Sequence, residues 1–271
     1  PRLYVAADGP RKNREGEAEK CEQVRKIATD VDWNCEVKTL LLEKNLGCKN
    51  AVCGGIDWFF EQEEMGIILE DDCLPNESFF KFCEKLLHKY KDEEKVMTIS
   101  GDNFQPKRRT ENSYYFSKYM HCWGWASWRR AWNHFDLIMR DWPTLKKNDF
   151  LASLFSSNIA EEYWRNIFDK VYDGEIDSWA YIWQYSIWTE DGVNVLPEVN
   201  LVSNIGFGEE GTHTKSSDSD SAFMKTNELK FPLEHPDNVE VNIKADKYTF
   251  KHSYATQNIW ERIFNKIKSI A

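Results

Sequence analysis

A short apolar run that ends in three acids constrains this chain more than any other stretch. Gly66-Ile67-Ile68-Leu69 is followed at once by Glu70-Asp71-Asp72 and then by Cys73-Leu74-Pro75. Ile67 to Leu69 is the kind of run a buried strand shows. Pro75 forces a turn, and Asn76-Glu77-Ser78-Phe79-Phe80 opens a helix. Like charges this close cannot all stay ionised in a dry site. A divalent cation resolves the conflict, because hard oxygen ligands suit Mg²⁺ or Mn²⁺. In open α/β sheets, ligands bind beyond the carboxyl ends of the strands. The pattern therefore predicts a metal site that holds an anion, most simply a diphosphate. A second reading stays open at this point, since Asp and Glu also gather before helix starts as caps.

Strand and helix alternate around this stretch. Leu3 to Ala7 reads as a strand that ends in Asp8-Gly9-Pro10-Arg11. Glu15 to Thr29 reads as a helix with Ala18, Cys21, Val24, Ile27 and Ala28 on one face. Cys35 to Leu40 is a second strand, and Leu46 to Asn50 leads into a helix through Ile56, Phe59 and Phe60. After the acidic strand comes a helix from Phe79 to Tyr90, then a strand from Val96 to Ser100 that ends in Gly101-Asp102-Asn103. The alternation over 1–105 predicts an α/β fold with a mostly parallel sheet and helices on both faces. Polar strand ends at Asp8, the acid triplet and Asp102-Asn103 suggest one ligand crevice.

The second half is rich in aromatics. Of the 12 Trp, many lie between 119 and 190. In His121-Cys122-Trp123-Gly124-Trp125, glycine between aromatic faces suits a sugar ring stacked on indole. A Trp-rich core is the competing reading. Asp177 precedes a Trp/Tyr-rich helix through Trp188, where it could be an N-cap. Val193 to Pro197 reads as a strand, Gly206 to Thr214 as a flexible loop and Lys215 to Ser221 as a mobile polar segment. A last helix carries Ile259, Trp260, Ile263, Phe264 and Ile267 on one face, which packs on its own domain or touches a membrane or partner. We read one domain over 1–271, with a nucleotide-binding half at 1–105, a sugar and acceptor half at 106–230 and a C-terminal extension at 231–271.

Charge and cysteine content narrow the class. A net charge of −10 argues against nucleic acid as a partner and allows at most peripheral contact with an anionic membrane. The sequence shows no run of about twenty apolar residues and no signal peptide. Seven scattered Cys without a zinc-type pair read as reduced thiols of a cytoplasmic protein.

The order of these motifs resembles nucleotide-sugar glycosyltransferases of the GT-A fold. The chain is similar to bacterial family-2-like sugar transferases and to the N-glycan β-1,2-N-acetylglucosaminyltransferase. Leu69-Glu70-Asp71-Asp72 with Pro75 and Phe79-Phe80 resembles the family's acidic DXD metal motif. Trp123-Gly124-Trp125 resembles its glycine–tryptophan segment, and Asp177-Ser178-Trp179 falls where the family has Asp-Asp-Trp. Pro197-Glu198-Val199, Gly206-Phe207-Gly208 and His213 resemble its later run. The departures are Ser178 in place of the second Asp, and the first strand of the fold. That strand would precede Leu3 and is missing, cut away or replaced in a chain that begins at Pro1.

The resemblance implies a metal-dependent inverting glycosyltransferase, a hexosyl- or N-acetylhexosaminyltransferase. The sugar would move from a nucleoside-diphosphate donor, UDP by preference, to a hydroxyl of a saccharide or glycolipid acceptor, as in polysaccharide biosynthesis. Asp72 would ligate Mn²⁺ or Mg²⁺, and His213 would contact the diphosphate or complete the metal shell. Asp71 would bond the ribose or sugar, with Glu70 orienting the pair. Asp8 would meet the base or ribose, and Lys49 the phosphates. Trp123, Gly124 and Trp125 would line the sugar and acceptor. Asp177 would be the general base. Two other classes compete: a non-catalytic carbohydrate-binding domain on the Trp-rich half, and a metal-dependent nucleotidyltransferase.

Overall fold

The computed structural model describes residues 1–207 and 223–255. The chain begins with β1 (Arg2–Ala7), α1 (Glu17–Thr29), β2 (Glu36–Leu41) and α2 (Cys48–Gln62). The acid stretch follows as β3 (Met65–Ile68) and β4 (Cys73–Pro75), then α3 (Glu77–Lys89), β5 (Val96–Ser100), β6 (Tyr114–Ser117) and β7 (Trp125–Trp128). Five helices come next: α4 (Arg129–Trp132), α5 (Trp142–Lys147), α6 (Phe150–Leu154), α7 (Asn158–Tyr172) and α8 (Trp179–Thr189). β8 (Val193–Pro197), β9 (Val202–Asn204), α9 (Ile243–Thr249) and a π-helical turn at Phe250–Ala255 complete the described chain.

The fold is mixed α/β, and the expected mostly parallel sheet gives way to a mainly antiparallel one. The main sheet has five strands in the order β3-β7-β5-β8-β6. Only β5 and β8 run parallel; β3–β7, β5–β7 and β6–β8 are antiparallel. The difference has a local cause. Trp123-Gly124-Trp125 reads in sequence as a sugar-binding segment, yet Trp125 opens a strand that enters between β3 and β5. β1 and β2 form a separate parallel pair, in register from Arg2 opposite Glu36 to Ala7 opposite Leu41.

Helices do cover both faces of the main sheet. Successive strand residues point to opposite faces. Trp125 joins one hydrophobic cluster, with Ile56 and Phe60 of α2, Trp164 of α7 and Trp183 of α8. Ala126 and Trp128 join the other, with Phe79, Phe82 and Leu86 of α3. The spacing of those α3 residues gives one apolar stripe, and each fully buried Phe or Leu contributes about 1.5–3 kcal/mol. Asn76 starts α3 by accepting from the Ser78 N–H at 2.9 Å.

The β1–α1–β2 unit is packed far more lightly. No residue of α1 is buried, and the expected apolar face carries Val24 at 58% and Ile27 at 76% exposure. The unit is held mainly through α2: Tyr4 packs edge-on to Trp58 and Phe59, and Arg2 and Tyr4 both bond Glu63. Among the described residues, no helix is long and apolar enough to cross a membrane. The expected C-terminal helix and the segment at 215–221 lie outside the described residues.

Candidate functional site

β3 stops at Ile68, so the three acids sit beyond the strand in a tight turn: the Cys73 N–H donates to the Glu70 carbonyl at 3.1 Å. Pro75, expected to force a turn, instead ends β4, which pairs antiparallel with β9. That pairing brings the segment after β9 onto the acids. The Ile205 N–H donates to the Asp72 carbonyl at 2.8 Å, and a Cβ on Gly206 would lie 2.4 Å from Asp72 Oδ2. Asp72 is thus pressed against bare backbone, with the Cys73 thiol 3.6 Å from its other oxygen. The acids do not cap α3, since Asn76 does. Burial, then the charges of Asp72 and Asp71, pushes the Glu70 carboxyl up to about 7.

A second group of candidates lies at the start of α2. Lys49 Nζ lies 3.0 Å from Asp177 Oδ1, with Lys49 21% and Asp177 62% exposed. Asp177 is not the cap of α8; Ser178 takes that position and accepts from the Tyr181 N–H. The Asp177 carboxylate is therefore not engaged in starting a helix. Burial, then the negative charges of Glu70, Asp177, Asp71 and Asp8 in that order, raises the Cys48 thiol. One side chain at the first turn of α2 thus feels carboxylates from three separate stretches of chain.

Asp8 has a structural role in this arrangement. Its Oδ1 accepts from the Gly9 and Leu46 N–H groups at 2.7 and 2.9 Å, and its Oδ2 from Asn45 Nδ2 and the Gly47 N–H at 2.8 and 3.1 Å. The carboxylate knots the loop after β1 to the loop that starts α2. This engagement argues against its expected contact with a nucleotide base or ribose.

The aromatic candidates divide. Trp125 is fully buried and stacks on Trp179 with ring centroids 5.8 Å apart, so it is core and does not line a sugar site. The large apolar area of indole favours that outcome wherever a strand passes between helices. Gly124 is buried at φ 67, where a Cβ would meet Val202 at 2.9 Å and Leu69 at 3.1 Å, so its role is close packing. Trp123 alone of the three stays partly exposed, edge-on to Phe104 at 4.9 Å and to Phe207 at 5.5 Å. His213 lies outside the described residues, as does most of the expected loop from Gly206.

Sequence reasoning named Asp102 as a polar strand end and His121 in the aromatic run, and missed that the two pair. His121 and Asp102 are both buried, with His121 Nδ1 3.4 Å from Asp102 Oδ2, and Phe104 covers the imidazole at 4.7 Å. Burial raises the Asp102 carboxyl against the opposing pull of His121. Asp102-Asn103 does mark a strand end, but Asn103 is spent on the Pro197 carbonyl at 2.7 Å. The signal for this pair was a lone His and a lone Asp 19 residues apart, which no spacing rule links.

Among the described residues, no three His, Cys, Asp or Glu side chains come together as a ready metal cage. The donor set still fits a hard cation of the Mg²⁺ type, which binds through one or two carboxylates plus substrate phosphates. Burial raises Glu70 first, and the repulsion from Asp72 and Asp71 that adds to it is what such a cation relieves. The chain matches no protein-family model, and no curated protein is similar to it.

Proposed function

We propose that the chain is a metal-dependent inverting glycosyltransferase of the GT-A kind, acting on a nucleoside-diphosphate sugar and a saccharide or glycolipid hydroxyl. One observation carries this: Lys49 at the start of α2 pairs with Asp177 at 3.0 Å, and the neighbouring Cys48 thiol feels both Asp177 and the Glu70 and Asp71 carboxylates of the turn after β3. Asp72, with Asp71 beside it, would hold Mn²⁺ or Mg²⁺. The cation would supply charge neutralisation for the departing diphosphate.

The chain's own groups account for the rest. Asp177 takes the proton of the acceptor hydroxyl while that oxygen bonds to the anomeric carbon. The bond from that carbon to the phosphate oxygen breaks, and its electron pair leaves with the nucleoside diphosphate. Lys49 orients the Asp177 carboxylate before reaction and offers a cation to the phosphates. Glu70, titrating near neutrality, can donate a hydrogen bond to a sugar or ribose oxygen. Trp123 gives a partly exposed face for the sugar ring. All seven cysteines are free thiols, which favours the cytoplasm as the compartment.

A purely sugar-binding module is the weaker reading, because Trp125, Trp132, Trp164, Trp179, Trp183 and Trp188 are buried in the core and cannot meet a glycan. The deciding experiment is calorimetric titration with UDP, with and without Mn²⁺, on the wild type and Asp72→Ala. Metal-dependent binding that Asp72→Ala removes is expected. Binding of glycans without metal or nucleotide would sink the proposal. Release of pyrophosphate rather than a nucleoside diphosphate in a turnover assay would replace it with nucleotidyl transfer.

A further inference from the structure

The loops that leave β1 and β2 build a second polar feature, opposite in charge to the acid site. The two strands are parallel and in register, so their C-terminal ends deliver the segments 8–14 and 42–47 side by side. Contact between the segments is close: a Cβ on the buried Gly9 would lie 2.4 Å from the Lys44 backbone. Asn45 Nδ2 bonds both Asp8 Oδ2 and the Gly9 carbonyl, at 2.8 and 3.1 Å. The backbone around Lys44 is therefore fixed from two sides.

Between these segments and α1 lies a cleft of about 610 Å³. Arg11, Lys12, Arg14 and Lys44 line it, against the single carboxylate of Glu43. Arg11 is occupied, since its guanidinium and its N–H both bond Glu17. Lys12, Arg14 and Lys44 have no ion-pair partner among the described residues. Ala18, in the first turn of α1, lines the same cleft, and the N-cap Gly16 gives that helix start no side-chain acceptor. The helix dipole adds positive potential there, offset in the same turn by Glu17 and Glu19. On a chain of net charge −10, Lys12, Arg14 and Lys44 gather around one concavity, with Arg14 also acting on the Glu17 carboxylate that Arg11 holds.

We propose that this cleft binds a phosphate-bearing anion of about diphosphate size. Arg14 offers a planar fork for phosphate oxygens, and Lys12 and Lys44 offer point charges from either wall. The volume lies within the usual few hundred to about 1,000 Å³ of small-ligand sites. Three cations are too few for a nucleic-acid track, whose affinity grows with each phosphate neutralised. The phosphate can belong to a soluble diphosphate or to an anionic lipid headgroup. This inference does not depend on glycosyl transfer, since none of its residues belongs to the acid site.

The test is titration of the whole chain with pyrophosphate, without divalent metal, at low and at physiological salt. The variant is Lys12→Gln/Arg14→Gln/Lys44→Gln, and the charge-matched control is Lys85→Gln/Lys107→Gln/Lys170→Gln, three exposed lysines elsewhere. Circular dichroism melting checks that each variant folds. Saturable one-site binding is expected, at least about tenfold weaker in the cleft variant and unchanged in the control and in Asp72→Ala. A parallel arm uses flotation with phosphatidylcholine vesicles, with and without phosphatidic acid. Cleft-dependent binding to phosphatidic acid alone assigns the headgroup; cleft-dependent pyrophosphate binding assigns the soluble ligand. Absence of binding in both arms, or equal loss in variant and control, overturns the site.

Discussion

Glu70 is held near a pKa of 7 by burial first and by Asp72 and Asp71 second, against an ordinary value of 4.5. The sign of its effect on stability follows. Below pH 4.5 both folded and unfolded carboxyls hold a proton, and Glu70 costs nothing. As pH rises from 4.5 to 7, the unfolded carboxyl ionises freely while the folded one resists, so stability drains away. The full loss is about 3 kcal/mol. Glu70→Gln should therefore be more stable than the wild type at pH 8, by up to about 3 kcal/mol, and equal to it at pH 4.5. Urea unfolding at both pH values reads this; the same difference at both would mean the charge of Glu70 is not strained. Asp177 is tested by function instead. It is exposed and outside the core, so Asp177→Asn should melt within about 0.5 kcal/mol of the wild type. The variant should keep metal-dependent UDP binding and lose transfer by about 10²-fold or more. Retention of most of the activity would falsify its assignment as the base.

At the scale of elements, the pairing of β4 with β9 is what brings Gly206 onto Asp72. A methyl at 206 would sit 2.4 Å from Asp72 Oδ2 and 2.7 Å from its Cβ, so the carboxylate must swing away and the backbone of the 204–207 segment must shift with it. Gly206→Ala should weaken metal-dependent UDP binding by about tenfold and leave the melting temperature nearly unchanged, since the main sheet is not involved. Unaltered binding would mean the Asp72 rotamer does not matter. The sheet contacts also explain what could be read in advance. The acid turn, α3 and the β5 strand were legible because apolar periodicity marks them, whereas Pro75 hid the short strand β4. β7 was not, because Trp125-Ala126-Ser127-Trp128 carries no alternation of apolar and polar residues: both faces of that strand are buried. For the same reason Trp123 and Trp125, two residues apart, looked alike in sequence and end in different places. The link between Lys49 and Asp177 spans 128 positions and has no local signature.

Across the whole molecule, packing is uneven. Every residue of β5, β6, β7 and β8 is buried, whereas β1, β2 and α1 have none. Local opening free energies follow such differences in buried contact. Native-state hydrogen exchange should show amides of β1, α1 and β2 exchanging at least about tenfold faster than those of β5 and β8. Uniform protection would contradict the packing.

The Asp8 knot is anchored on one side to this light unit and on the other to α2, which is set into the main core through Cys53, Ile56 and Phe60. A ligand that grips both sides would have to order this lightly packed unit against α2, and it would surrender part of its affinity in doing so. Its calorimetric signature is therefore a favourable enthalpy set against an entropic penalty. Locking the light unit in advance would recover the difference as tighter binding, without a single new contact to the ligand.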